Sequence, residues 1–561
     1  MTTRREFVQR SAAAVLASSL RIPAVAPTAK CPAGFLDITR PPDAVTAHAA
    51  SGVQQLRPAL GGSGRWDGAG ISAQLSAVPG ATRVELSAPA VGVSRLSLRW
   101  NDRLDATRLL LGDAWERGYG DFEWRGFVPD RVMPWYALAW DGRRADGYGV
   151  RTGANAFCWW QVDPEGITLW ADVRSGGTPV QLGNRALAVC DVVCRPGQDG
   201  ESAFAAQHAL CVQMCAHPRL PAQPVYGSND WYYAYGNNTA ATVRADAGHV
   251  VELSPTGGNR PFVVIDDGWQ PGRGASNDGA GRWDRGNEKF PDIPALVADV
   301  KRAGARPGVW IRPLQAPADA PDSWRLPRER GVLDPTVAES REKIAADIAR
   351  LHRWGFDLIK HDYSTWDIFG RWGSQMGSAL TKDGWTFAEG PRRTTAEVIN
   401  ELYATIREAA GGSLIIGCNT VSHLSAGQFE MCRIGDDTSG TEWDRVRRMG
   451  VNALAFRGAQ HGAFYAADAD CVGVTTHIPW NLNRQWLDLL SRSGTTLFVS
   501  LAPDALGAAQ KQDLRSALAL AATPQPLGEP LDWQRTTWTT RWRSAGGEQS
   551  YDWGYAADSA P

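Results

Sequence analysis

Residues 334–363 read DPTVAESREKIAADIARLHRWGFDLIKHDY, and the architecture of the chain follows from this stretch. Asp334 supplies a capping carboxylate, Pro335 a first-turn proline and Gly355 a terminator, which predicts a helix between them. Val337, Ile344, Ile348 and Leu351 keep to one face of that helix. The run FDLIKHDY follows at once, short and apolar enough for a buried strand. The same texture recurs on both sides, in VYGSNDWYY (225–233), PFVVIDDGW (261–269) and ARPGVWIRP (305–313). It continues in SLIIGCN (413–419), FEMCRIGDD (429–437), FYAADADCVG (464–473) and TTLFVSLA (495–502). Helical patterns separate most of these runs, including one opened by a Thr394…Glu397 capping box and carried by Val398, Leu402 and Ile406. Buried parallel strands alternating with helices, eight units in about 300 residues, predict a (β/α)8 TIM barrel over 221–523.

The chain before the barrel has a different texture. Arg95–Trp100, Phe157–Val162, Ile167–Val173 and Leu187–Val193 alternate or run apolar between Gly, Asp and Pro turns, with no convincing helix before about residue 200. This predicts an N-terminal β-sandwich over 27–220. After the barrel, 524–561 holds the strand-like pieces DWQRTTWTTRW and SYDWGY, a short C-terminal β segment. Residues 1–26 are expected to be an address: Arg4 and Arg5 precede a short Ala-rich stretch and the small-residue site Ala24-Val25-Ala26, a twin-arginine-type export signal. A periplasmic or extracellular protein is the corresponding expectation.

Composition excludes several classes. With 58 Lys plus Arg against 60 Asp plus Glu and no polybasic run, the chain carries no nucleic-acid footprint. No later segment approaches 18 consecutive apolar residues, so no membrane insertion is expected. There are 25 Trp but only 15 Phe, and the flat, polar-edged indole suits sugar C–H faces as well as core packing. The nine cysteines include Cys190/Cys194 and Cys211/Cys215, near His208 and His217. A zinc site, a disulfide between the pairs and buried thiols are all compatible with that spacing. No cofactor or metal motif is present.

In such a barrel the chemistry sits at the C-terminal strand ends. Read in order, those ends carry Asp230-Trp231-Tyr232, Asp266-Asp267, Trp310 with Arg312, Lys360 with Asp362, Cys418-Asn419, Arg433 with Asp436-Asp437, and Asp468 with Asp470. Convergent carboxylates with Trp and no metal motif fit glycoside hydrolysis, in which one carboxylate attacks or activates water and another protonates the leaving oxygen. Side chains alternate along a strand, so Lys360 and Asp362 share a face, as do Arg433 and Asp437, leaving Ile434 and Asp436 opposite.

These segments resemble the melibiase-type α-galactosidases of glycoside hydrolase families 27 and 36, more closely the latter. SNDWYY, VIDDGW, GVWIRP, LIKHDY, IIGCN and CRIGDDTSGTEW match that family's motifs in family order over roughly 225–445. The resemblance implies a retaining exo-acting hydrolase of terminal α-galactosides, with Asp362 as nucleophile and Asp437 as acid/base. It also implies sugar binding by Asp266, Asp267, Lys360, Cys418 and Arg433, with Trp231, Tyr232 and Trp310 lining the subsite. Arg312 departs from the family pattern: a candidate substrate-binding cation that could meet an anionic group, although a pair with a nearby Asp is the favoured reading. The C-terminal sandwich usual in family 36 is reduced to a stub. Related α-N-acetylgalactosaminidase, β-L-arabinopyranosidase or galactosyl-transfer activities remain open. From other classes, so do a metal-dependent exported enzyme and an inactive sugar-binding protein.

Overall fold

The computed structural model describes residues 34–61, 64–272, 279–382 and 384–554. The expected export signal at 1–26 lies outside the described residues.

From Ala44 to Arg195 the chain forms one antiparallel sheet of thirteen strands. The four strand segments expected from sequence fall in Val93–Asn101, Phe157–Asp163, Gly166–Asp172 and Leu187–Arg195. Gly52–Pro58 pairs with Ala44–Ala49 on one side and Arg65–Gly68 on the other, which links the two halves of the sheet. The halves fold towards each other: the rings of Tyr148 and Trp160, from strands in different halves, lie 6.3 Å apart. Trp100, Trp115, Trp135, Trp159 and Trp160 are buried in or beside this sheet, so much of the tryptophan here is core. Helix Ala203–Met214, capped by Ser202, closes the region.

A second sheet is parallel throughout. Its strands are β1 (Tyr226–Asn229), β2 (Phe262–Ile265), β3 (Arg306–Ile311), β4 (Leu358–His361), β5 (Leu414–Gly417), β6 (Met431–Arg433), β7 (Ala466–Asp468), β8 (Cys471–Val474) and β9 (Leu497–Leu501). Each pairs with the next, β9 returns to β1, and the single gap falls between β7 and β8. These two are consecutive pieces of one expected strand, separated only by Ala469 and Asp470, the latter at φ +78°. A barrel-like sheet results, with nine pieces at the eight expected strand positions.

The apolar alternation sorts the two faces of this sheet. Phe262, Val264, Leu358, Ile416, Met431, Ala466, Cys471 and Phe498 form one buried cluster. Ile265, Ile359, Ile415 and Ile434 belong to the larger core, which also takes in the helices. Gly308 leaves room in the first cluster, because a Cβ there would meet Val264 Cγ2 at 2.9 Å.

Helix Thr395–Ala409 has the expected capping box. Helix Ala338–Trp354 ends as expected at Gly355 (φ +97°), and buries Ile344, Ile348 and Leu351, at roughly 1.5–3 kcal/mol each. Its start differs from the sequence expectation. Asp334 does not cap it: one carboxylate oxygen accepts from Thr336 N and Oγ1 and the other from Ala388 N, so the carboxylate is spent on a turn and a tertiary bond. After the barrel, Glu529–Pro530, Arg541–Ser544 and Gly547–Ser550 form a small antiparallel sheet. Trp533 beside it packs on Trp124, Phe204 and Phe456, which ties this small sheet to the N-terminal region and to the barrel.

Every described cysteine is a free thiol, including Cys190, Cys194, Cys211 and Cys215. No helix among the described residues is long and apolar enough to cross a membrane.

Candidate active site

Strand parity decides which polar groups enter the barrel. Leu358 belongs to the interior cluster, so Lys360 two residues on points the same way and Asp362 follows at the strand end. The Lys360 ammonium donates to Asp266 Oδ2 at 2.7 Å. Burial opposes the charge on Lys360, but the Asp266 carboxylate outweighs it and holds the ammonium above its ordinary range. Asp266 also accepts from Asn229 Nδ2 (2.8 Å) and from the Asp267 amide (2.8 Å). Asp266 is therefore largely a scaffold for Lys360. Asp267 is half-buried and accepts from Gln270 Nε2 at 2.5 Å.

Asp362 is half-buried and fixed from both sides. Trp310 Nε1 donates to Oδ2 at 2.9 Å, and the Tyr363 amide to Oδ1 at 2.7 Å. Tyr363 adopts the left-handed conformation (φ +68°) that turns its amide back onto that oxygen.

Around Asp437 the positive charges converge. Met431 faces the interior, so Arg433 does too, and its Nη2 lies 3.3 Å from Asp437 Oδ1 and 3.0 Å from Asp470 Oδ2. Its Nη1 donates to Cys418 Sγ at 3.6 Å. The fully buried Cys418 is held as a thiol, its pKa raised by burial and by the Asp362 charge. Tyr232 is also fully buried and donates its hydroxyl to Asp470, so it braces that carboxylate rather than lining an open subsite. Trp231 is half-buried against Tyr235, with ring centroids 5.6 Å apart.

Sequence reasoning missed a second arginine. Arg117, from the N-terminal region, places Nη2 2.8 Å from Asp436 Oδ1 and Nη1 3.5 Å from Asp437 Oδ1, with Cys418 Sγ 3.8 Å from the same Nη1. Its backbone is spliced onto the barrel. Gly118 N donates to Ile434 O (2.9 Å) and Gly118 O accepts from Asp436 N (2.7 Å), which prolongs the extended path beyond the end of β6. A side chain at Gly118 would strike the Phe122 ring, 2.2 Å from its Cβ. Preceding Glu116 is fully buried and accepts from Gly373 N (2.9 Å), Tyr119 OH and Asn419 Nδ2. Nothing in AWERGYG (114–120) separates this arginine from any other loop arginine, because its partners lie some 300 residues away.

Burial favours the neutral form of Asp437, but Arg117, Arg433 and Lys360 outweigh it and bring its pKa down to about 2. Asp437 is also 37% exposed, open to a ligand on one side. Asp468 goes the other way, pushed up by burial to about 6.

Arg312 corrects one expectation. Its Nε lies 3.1 Å from both oxygens of Asp367 and its Nη2 2.5 Å from Oδ1, while its guanidinium covers the Tyr363 ring at 4.6 Å. Asp367 is buried, so drawing Arg312 away to a substrate anion would strand a buried charge. No cluster of three His, Cys, Asp or Glu able to hold a metal ion occurs among the described residues.

The overall shape resembles solved α-galactosidases. TtGalA from Thermus thermophilus, solved with p-nitrophenyl α-D-galactopyranoside, aligns over 91% of this chain and 99% of its own, with a TM-score of 0.59 and 17% identity. The family 36 α-galactosidase AgaA from Geobacillus stearothermophilus, solved with 1-deoxygalactonojirimycin, aligns over 84% of this chain and 69% of its own, with a TM-score of 0.54 and 15% identity. At these identities the likeness is one of fold. By sequence, 194 residues are 26% identical to the bifunctional α-galactosidase/sucrose kinase AgaSK of Mediterraneibacter gnavus, covering 32% of this chain and 20% of that protein. The chain thus matches about a fifth of that relative's length. No family model matches the chain.

Proposed function

We propose that this protein is a retaining glycoside hydrolase that removes terminal α-linked galactose, or a closely related galacto-configured sugar, from oligosaccharides. The supporting observation is that two differently held carboxylates, Asp362 and Asp437, each follow the C-terminal end of a strand of the barrel-like sheet. Asp362 accepts two fixed donors and keeps a half-buried face, as a nucleophile must. Asp437 lies among cations with one open side.

In this reading Asp362 attacks the anomeric carbon while Asp437 protonates the departing oxygen, and a covalent glycosyl–enzyme forms. Water, deprotonated by Asp437, then releases the sugar, so two inversions give net retention. Lys360 and Asp267 bind ring hydroxyls, Trp231 and Trp310 wall the sugar, and Arg433, 3.3 Å from Asp437, stabilises that carboxylate whenever it is ionised. Cys418 contributes shape and a weak polar contact. In the resting protein Asp437 is ionised, which suits it as the base of the second step. To act first as an acid it takes up a proton when substrate binds, because a sugar covering its exposed face removes the water that stabilises the charge. Glycosylation should accordingly be favoured at acidic pH. The expected twin-arginine signal at 1–26 would send the enzyme out of the cytoplasm.

The test is hydrolysis of p-nitrophenyl α-galactoside in the presence of EDTA, followed by NMR of the first-formed sugar. α-Galactose released without metal dependence is the expected result. The β-anomer as first product would refute retention. Loss of activity to the chelator would favour a metal enzyme, and binding without turnover a lectin-like protein.

A further inference from the structure

The break between β7 and β8 meets the segment that carries Asp437. Asp470 sits in that break at φ +78°, a left-handed conformation that a residue with a Cβ keeps only where its surroundings hold it. It is buried, and its Oδ2 accepts from Thr438 N at 2.6 Å, from Thr438 Oγ1 at 2.8 Å and from Tyr232 OH. Thr438 follows Asp437, so Asp470 grips the peptide link immediately behind that carboxylate. Thr438 Oγ1 is also 3.0 Å from Cys471 O, and a Cβ at Gly473 would stand 2.8 Å from Gly440 Cα. The segment 438–440 is thus laid against β8, and Asp470 is where the two are tied.

Arg433 connects this tie to the chemistry. A single nitrogen, Nη2, lies 3.0 Å from Asp470 Oδ2, 3.3 Å from Asp437 Oδ1 and 3.3 Å from Gly435 O. Such a nitrogen carries two hydrogens, so three acceptors compete for them and what Asp470 takes is lost to Asp437. The other groups facing Arg433 are Cys418, whose Sγ lies 3.6 Å from Nη1, and Asp468, whose Oδ2 lies 3.9 Å from Nε. Burial pushes Asp468 up to about 6, so below that pH it is neutral and draws little on the guanidinium. Asp437 is faced in turn by Arg117, Lys360 and Arg445 as well as Arg433. Every one of these cations opposes the proton that an acid must hold.

We infer that Asp470 is a positioning residue for the acid/base, which fixes the backbone behind Asp437 and divides the Arg433 charge so that Asp437 can take up its proton when substrate binds. This rests on the glycosidase reading above and adds how the acid at that site is kept usable among so many cations. Tyr232 belongs to the same device, since its hydroxyl stabilises Asp470 and lessens the demand of that carboxylate on Arg433.

The experiment follows kcat/KM for melibiose against pH, in the full chain and two variants. Asp470→Asn keeps the shape and an acceptor oxygen but removes the charge. Arg433 then turns to Asp437, and a neighbouring like charge is gone, so both changes favour ionised Asp437. The alkaline limb should move down by about 1 pH unit. Tyr232→Phe works in the opposite direction: Asp470 loses a donor, leans harder on Arg433, and the limb should move up by about half a unit. Displacements of opposite sign support the device. A limb that stays in place in both variants, moves the same way in both, or gives way to a uniform loss at every pH overturns it and leaves Asp470 a structural tie. Failure of wild type to cleave either melibiose or p-nitrophenyl α-galactoside overturns the glycosidase reading and the device with it. If Asp470→Asn does not fold, Tyr232→Phe decides alone: a limb that stays or moves down refutes the inference.

Discussion

Arg117→Gln tests whether the N-terminal region is part of the catalytic electrostatics. The charge removed lies 3.5 Å from Asp437 Oδ1. Coulomb's law gives about 1 kcal/mol for such a pair in water and about 5 kcal/mol at the effective dielectric of 20 that suits protein surfaces. Asp437 is 37% exposed, and screening puts the value at the lower end, roughly 1.5–3 kcal/mol, or a pKa rise of roughly 1 to 2. Arg433 remains, 3.3 Å away, so Asp437 stays below the ordinary carboxylate range or close to it. The sign follows from linkage: a depressed pKa means the acid form exists only at low pH, and raising it extends that form upwards. The alkaline limb of kcat/KM for melibiose, whose departing sugar needs protonation, should therefore move up by about 1 to 2 pH units. Arg117→Lys should move it much less. The fold should survive, because Asp436 keeps Arg445 at 2.8 Å, and thermal melting checks this. If Arg117→Gln lowers kcat/KM by the same factor at every pH, Arg117 is merely a structural tie and the reasoning is wrong.

Asp362→Gly should abolish turnover of aryl α-galactosides, with azide restoring it as the β-azide; Asp437→Ala should spare activated aryl glycosides and give the α-azide, both read by NMR. If Asp436→Ala shows the acid/base signature instead, the assignment is one residue out. Arg312→Ala should destabilise by about 3–5 kcal/mol in denaturant titration, since it strands buried Asp367, and should affect charged and neutral galactosides alike. His361 is buried against Tyr403 and Phe429 with neither ring nitrogen bonded, and burial pulls its pKa down to about 3. It stays neutral in the fold but takes a proton on unfolding below pH of about 6.5, so it costs stability as pH falls from there towards 3. His361→Phe should flatten the stability profile over that window by about one proton, and an unchanged slope would count against it.

Sequence alone determined what depends on local periodicity. The eight apolar runs become strands because a period of two, or continuous burial, admits little else between Gly and Pro punctuation. The same period puts Lys360 and Arg433 inside the barrel and Ile359 and Ile434 outside, since alternation is a property of the strand and needs no knowledge of neighbours. The helix closed by Gly355 was legible for the same reason, except at its start, where Asp334 found tertiary partners in preference to a cap. The tertiary structure decided which charges meet. Arg312 had two readings, a substrate anion or a nearby Asp, until Asp367, 55 residues on, was folded beneath it. Arg117 was one loop arginine among many until Gly118 paired with Gly435 and delivered it to Asp436 and Asp437. Such pairs are fixed by the docking of a whole region against the barrel, and nothing in the spacing of residues along either segment encodes it.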